Sequence, residues 1–365
     1  MTTTDGVVAD AAADAGSDVA PDAMADAAVT DAAAEDAAAT DAAAGTDAAI
    51  QDVAPDAAPD AVADVSASDA AGVLADPNFD GPYGYAEFDD TAKIAATGDS
   101  VAVHCAYPKS GPTAGPYPVI VVAHGFQLTP DKYYGYVRRL ATFGYVAMTV
   151  DYPTSFLGND NPTEAKDLAG ALDWAATKGG VLAGKVDDKN AGIVGHSLGG
   201  KLTFLAATVE PRFKAALGLD PVDGGGPMGC NPPQCVSVAA AIGSLAIATG
   251  FVGETTDAAG GMQPCAPAAN NFMTFYAAVP APSFAVTVKG ANHMSFLDDT
   301  NNCLSCGFCN AATLDQGTVV ALARSYVAAF FERHLRGNTA YDAYLTGAIA
   351  QSRYVTPGTA TIQTK

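Results

Sequence analysis

Residues 191–200, Ala-Gly-Ile-Val-Gly-His-Ser-Leu-Gly-Gly, constrain this chain more than any other stretch. A short apolar run, readable as a buried strand, passes directly into Gly-x-Ser-x-Gly and then into a helical pattern from Lys201 to Val209. Strand, sharp turn and helix in that order make a nucleophile elbow, in which Ser197 projects its hydroxyl from the carboxyl edge of a sheet. Gly195 and Gly199 flank it because a Cβ at either place would crowd the turn. The helix that follows aims its first amides at the point where negative charge develops when a carbonyl is attacked.

The flanking sequence supplies the sheet such an elbow needs. Tyr83 to Phe88 and Val101 to Tyr107 read as opening strands. Pro118 to Ala123 is a continuous apolar run, the mark of a strand buried on both faces of a parallel sheet, and it ends at His124-Gly125-Phe126. Asp131 to Phe143 has helical spacing and Tyr145 to Val150 is a second central strand. Asn161-Pro162 opens a helix that runs to about Lys178. After the elbow helix, Ala215 to Leu219 reads as a strand ending in Asp220-Pro221-Val222-Asp223. Ser244 to Phe251 is a further strand, then a long loop, then Ser283 to Lys289 as the last strand. Gln316 to Leu335 closes the chain as a helix, capped by Gly337. Strands alternating with helices predict an α/β fold, a mostly parallel central sheet with helices on both faces and its site at the strands' carboxyl ends.

Composition divides the chain near Asp76. Of the 40 acidic residues 17 precede Pro77, and the first basic residue is Lys93. That leaves 23 acids against 18 Lys and Arg, so most of the net charge of −22 belongs to the Ala/Asp-rich beginning. Residues 1–76 have almost no large apolar side chain to offset ordering entropy and are expected to be a disordered acidic spacer. Residues 77–365 are expected to form one domain. The acidic balance argues against nucleic acid or anionic membrane as partner, and there is no transmembrane run of about 20 apolar residues. Val7-Val8 gives no signal-peptide core at Met1. Seven cysteines beside a spacer nonetheless imply a secreted or cell-surface protein whose targeting peptide lies outside this sequence, acting as a monomer.

Ser197 needs a base, and five histidines are available. His196 is fixed inside the elbow, where it is expected to pack and hydrogen-bond under the turn, and His124 belongs to the loop after Ala123. His104 and His334 read as structural or solvated. His293 alone follows the final strand, after both Ser197 and a choice of acids, and is expected to be the general base. The acid is expected to be Asp220, which leaves an apolar strand directly; Asp223, Glu254 and Asp257 remain rivals. The oxyanion hole calls for two backbone donors, expected to be the N–H of Leu198 and of Phe126. Phe126, Met294 and the loop from Gly224 to Ala241 with Met228 should border an apolar pocket. Cys230 and Cys235 are expected to pair across a Pro-containing turn, and at least one more bridge to involve the 303–309 loop. Zinc ligation by Cys303, Cys306 and Cys309 is the competing reading, but three cysteines in one loop with no His-x-His pattern fit a disulfide framework better.

Several motifs together resemble the chlorophyllases: His-Gly-Phe at 124–126, Gly-His-Ser-x-Gly-Gly at 195–200, Asp-Pro-Val-Asp-Gly at 220–224, Cys-Ala-Pro at 265–267 and His-Met-x-x-Leu-Asp-Asp at 293–299. Gly81-Pro82-Tyr83 and Gly184-Lys185-Val186-Asp187 are similar to bacterial cutinase-like polyester hydrolases. Both resemblances imply an α/β-hydrolase fold and a cofactor-free, metal-free serine hydrolase cleaving carboxylic esters, whether small or polymeric. They differ over the acid. The chlorophyllase pattern places it at Asp220, and the polyester-hydrolase pattern one strand later, at Asp257 or Glu254.

Overall fold

In a computed structural model the chain is described over residues 74–155, 158–224, 231–260 and 264–365. Residues 1–73 of the expected spacer 1–76 lie outside these residues, as do Met228, Cys230 and therefore the expected Cys230–Cys235 pair. Nine strands form one sheet among the described residues: β1 (Gly84–Lys93), β2 (Ser100–Ser110), β3 (Tyr117–Ala123), β4 (Val146–Asp151), β5 (Val186–His196), β6 (Phe213–Leu219), β7 (Ala248–Gly253), β8 (Ser283–Val288) and β9 (Ala360–Thr364).

All seven residues of β3 are buried, and alternate side chains serve opposite layers. Val119, Val121 and Ala123 pack with α2 (Asn161–Thr177), α3 (Leu198–Val209) and α4 (Phe272–Ala278). Ile120 and Val122 pack with α1 (Tyr134–Thr142) and α5 (Gln316–His334). A strand covered on both sides has no solvent face to keep polar, which is why its sequence reads as an unbroken apolar run.

The strand order is β1-β2-β4-β3-β5-β6-β7-β8-β9. The six strands from β4 to β8 in that order are mutually parallel, and the hairpin β1–β2 and the strand β9 add antiparallel edges. This is the mostly parallel α/β-hydrolase arrangement the sequence predicts. After β3 the chain crosses through α1 to β4, and after β5 it crosses through α3 to β6 on the other side. The direction of winding therefore reverses between β3 and β5, and their carboxyl ends open a crevice.

The differences from the sequence reading are local. Ser244 belongs to a short 3-10 turn, Ile242–Ser244, so β7 starts at Ala248. The long loop after it contains α4, whose N-terminus is capped by the Asn271 side chain on the Met273 N–H. β8 is not the last strand, because β9 pairs along its free edge. Cys303–Cys306 and Cys265–Cys309 are bridged, which meets the expectation of a bridge in the 303–309 loop, and Cys105 is a buried free thiol.

Candidate active site

Ser197 lies between the end of β5 and the start of α3 with φ 57° and ψ −122°. A Cβ on Gly195 would come within 2.3 Å of the Gly199 carbonyl oxygen, and one on Gly199 within 2.3 Å of the Ala123 oxygen. The two glycines thus let strand, turn and helix close on one another. The Ser197 N–H is tied to the Leu219 oxygen of β6 at 3.1 Å, and its carbonyl accepts from Lys201 and Val222. The turn is held from three sides and leaves the side chain half-buried.

His293 opens a 3-10 turn after β8, where Asn292 and Ser295 form a reciprocal capping box. Its Nε2 lies 2.8 Å from Ser197 Oγ and its Nδ1 2.6 Å from Asp220 Oδ2. An ionised carboxylate only accepts, so Nδ1 carries the proton and Nε2 is left to accept from the Ser197 hydroxyl. Asp220 is fully buried at φ 43°, its N–H donating to the Val252 oxygen of β7 at 2.7 Å. Burial pushes its carboxyl above the usual range, against the pull of the His293 hydrogen bond.

The rival acids stand close by. Asp257 Oδ2 accepts the backbone N–H of His293 at 2.8 Å and its Oδ1 that of Asn310 at 2.7 Å. Glu254 donates its N–H to Asp220 Oδ1 at 3.2 Å, and its Oε2 accepts the Asp257 N–H at 3.0 Å. Asp220 therefore meets the imidazole ring, Asp257 holds its peptide, and Glu254 joins the other two. Asp223 is engaged elsewhere. Its carboxylate takes Ser237 Oγ and the N–H groups of Val238 and Ala239, with the buried Lys201 ammonium 3.5 Å away.

His196 packs beneath the turn as expected and also bridges two segments. Its Nε2 donates to the His293 carbonyl at 2.8 Å, so its Nδ1 accepts from the Tyr133 hydroxyl at 2.8 Å. That hydroxyl in turn accepts the Gly125 N–H at 3.0 Å. Complete burial, aided by the neighbouring His293, holds the His196 imidazole well below its ordinary range, so it stays neutral. Hydrogen bonding under the turn is what the place of His196 in the elbow predicts, but its partners, the His293 carbonyl and the Tyr133 hydroxyl, lie 97 and 63 residues away and are set by no local pattern.

The loop after β3 lies against Ser197, since a Cβ on Gly125 would stand 3.3 Å from Ser197 Cβ. Its next residue, Phe126, is half-buried against the α2–α4 layer. Leu198 is the first residue of α3, where an N–H has no intrahelical acceptor. Met294 is not brought to this group. It is 7 % exposed and packs in the layer of α1 and α5. His104 sits on β2 beside Glu87 and Asp89, and His334 contacts Phe330 near the end of α5.

Among the described residues two groups have the donor set for a metal ion, Asp220 with Glu254 and His293, and Asp257 with Cys265 and Cys309. In the second the two sulfurs are bonded to each other and so are not thiolates. In the first the imidazole nitrogens are already taken by Asp220 and Ser197.

The family model described as Chlorophyllase matches residues 88–360. Chlorophyllase-1 of Arabidopsis thaliana is 29% identical over 198 residues, 51% of this chain and 61% of its own length. Bis(hydroxyethyl) terephthalate hydrolase of Streptomyces coelicolor is 28% identical over 225 residues, 61% of this chain and 63% of its own. A cutinase of Thermobifida alba is 30% identical over 117 residues, 32% of this chain and 37% of its own. The chain thus spans less than two thirds of the length of each of these relatives.

Proposed function

The chain belongs to the chlorophyllase family, and from that premise we propose that it is a serine hydrolase of carboxylic esters. The observation that carries the reading is the hydrogen-bonded line from Ser197 Oγ through His293 to Asp220 at 2.8 and 2.6 Å. In this reading Ser197 attacks the ester carbonyl while His293 Nε2 takes its proton. Asp220 keeps the ring oriented and stabilises the imidazolium. The N–H groups of Leu198 and Phe126 receive the oxyanion of the tetrahedral intermediate. Collapse expels the alcohol, protonated by His293, and water then cleaves the acyl-enzyme by the same route reversed.

Phe126, half-buried and next to the Gly125 that lies against Ser197, makes an apolar wall of the cleft. Substrates with apolar acyl or alcohol groups follow from that lining. The similarity to a hydrolase of bis(hydroxyethyl) terephthalate and to a cutinase favours testing aromatic and polymeric esters beside simple ones. The two bridges suit export, since disulfides persist in oxidising compartments. No helix among the described residues is long and apolar enough to cross a membrane.

The test is a panel of p-nitrophenyl esters of rising chain length, with bis(hydroxyethyl) terephthalate and a polyester film alongside. The protein is expected to cleave at least the activated esters, and Ser197→Ala to lower kcat by about a thousandfold or more while melting as the wild type does. Failure to cleave any ester, or an unchanged rate in Ser197→Ala, overturns the proposal.

A further inference from the structure

Gly253 ends β7, and Glu254 leaves the sheet there as Asp220 does from β6 next to it. The two strands are parallel, with Leu219 opposite Val252, so both acids emerge at the same edge one residue out of step. A Cβ on Gly253 would stand 2.7 Å from Asp220 Oδ1. The glycine therefore lets β7 pass directly behind Asp220 and places the Glu254 N–H on that oxygen. Glu254 is itself fully buried, and among the described residues its Oε1 has no hydrogen-bond partner. One oxygen of Glu254, one of Asp220 and a ring nitrogen of His293 all lie within 4.8 Å of one another.

We propose that Glu254 is a second positioning acid of this site, a buried carboxyl standing behind Asp220 that accepts the Nδ1 proton of His293 when Asp220 is removed. The inference rests on the function proposed above. Its motive is an orphaned oxygen, since a buried polar atom without a partner is costly and uncommon. Two carboxylates at this spacing do not both ionise readily. The titratable groups that face Glu254 are Asp220 from the end of β6, Asp257 on its own connection and His293 after β8; Phe272 of α4, which flanks Gly253, does not titrate. Burial and then the charge of Asp220 push the Glu254 carboxyl up to about 9. At neutral pH it is therefore a neutral acid, and Asp220 is the carboxyl that meets the imidazole. Loss of Asp220 removes the second of those causes, so Glu254 gives up its proton more readily and supplies the missing charge.

The experiment is a double-mutant cycle in the full chain, with Asp220→Ala, Glu254→Gln and the double variant assayed on a p-nitrophenyl ester across pH. Melting curves check that each variant folds, and Asp220→Asn replaces Asp220→Ala if the latter does not. The Glu254→Gln substitution is expected to cost about tenfold more in kcat in the Asp220 variant than in the wild type, because the two carboxyls substitute for each other. The Asp220 variant should also gain activity with rising pH as Glu254 ionises, an inflection absent from the double variant. A purely structural Glu254 moves neither quantity. Equal costs in both backgrounds, with superimposable pH profiles, overturn the inference. Ser197→Ala and His293→Ala run beside the cycle: full activity in either sinks the serine-hydrolase reading itself, whereas their loss of activity with an additive cycle sinks only the role of Glu254.

Discussion

Ser197 and Asp220 both have a positive φ, 57° and 43°, which side-chain-bearing residues seldom adopt. Each is the first residue beyond a parallel strand, and each costs on the order of 1–3 kcal/mol in a conformation that the surrounding packing must enforce. The elbow was legible because Gly-x-Ser-x-Gly between a strand and a helix leaves one residue no other conformation. The choice among Asp220, Asp223, Glu254 and Asp257 was less legible, since spacing along the chain does not say which carboxylate meets a ring 73 residues later. The register of β6 on β7 decides it, and that register is long-range pairing no local pattern encodes. Asp220→Asn is expected to fold and to lose several orders of magnitude in kcat, about ten-thousandfold where the wrong imidazole tautomer is the whole cause. Asp223→Asn should act otherwise. It loosens the segment up to Ala239 and should raise KM more than it lowers kcat. Steady-state kinetics of the two variants separate them, and a kcat loss in Asp223→Asn matching that in Asp220→Asn would contradict the assignment.

Among the elements, those with strong periodicity or continuous burial were readable, and those stabilised by a distant partner were not. β3, the second half of β5 and α5 announce themselves by apolar content, whereas β9 is a mixed Thr-Ile-Gln segment that becomes a strand only because β8 offers a free edge. α4 is seven residues, too short for periodicity to show, and is held by Phe272 and Phe275 in the core. The connection bearing His293 is fixed similarly, by Asn310 and Asp257 and by the Cys265–Cys309 bridge beside them. α2 carries a pH-dependent element of stability. Glu164 is buried with the Asn161 amide on its Oε2, and burial pushes its carboxyl up to about 7. Below the unfolded value of 4.5 both states hold the proton. As pH rises from there to about 7 the unfolded chain releases it while the folded chain keeps it, so folding stability falls through that window. Glu164→Gln keeps the acceptor and removes the charge. It is expected to stabilise the protein by on the order of 1–3 kcal/mol at pH 8 and by little at pH 4 to 5. Urea unfolding at the two pH values checks this, and equal effects at both would refute it.

For the molecule as a whole, most of the net charge lies outside the described residues. The acidic beginning carries most of the −22, while the described residues from Leu74 onward belong to the sheet and its layers. Their first contacts are specific: Asp76 pairs with Arg353, the Ala75 oxygen accepts from the Tyr341 hydroxyl, and Arg139 donates to the Pro77 and Phe79 oxygens. Deleting residues 1–73 is expected to leave melting temperature and kcat/KM unchanged, because that composition offers no core. Extending the deletion through Asp80 should lower the melting temperature by several degrees. Differential scanning calorimetry of both truncations makes the comparison, and a fall with the shorter one would show that the acidic segment docks.

In the proposed function a serine activated by one histidine acts at the crevice between β3 and β5. Labelling with a fluorophosphonate, followed by peptide mass mapping, tests this most directly, because the reagent reacts with a serine whose hydroxyl a base has primed. One adduct is expected, on the peptide bearing Ser197, absent from Ser197→Ala and strongly slowed in His293→Ala. An unlabelled native protein, an adduct on another residue, or labelling of Ser197 at full rate in His293→Ala would contradict it.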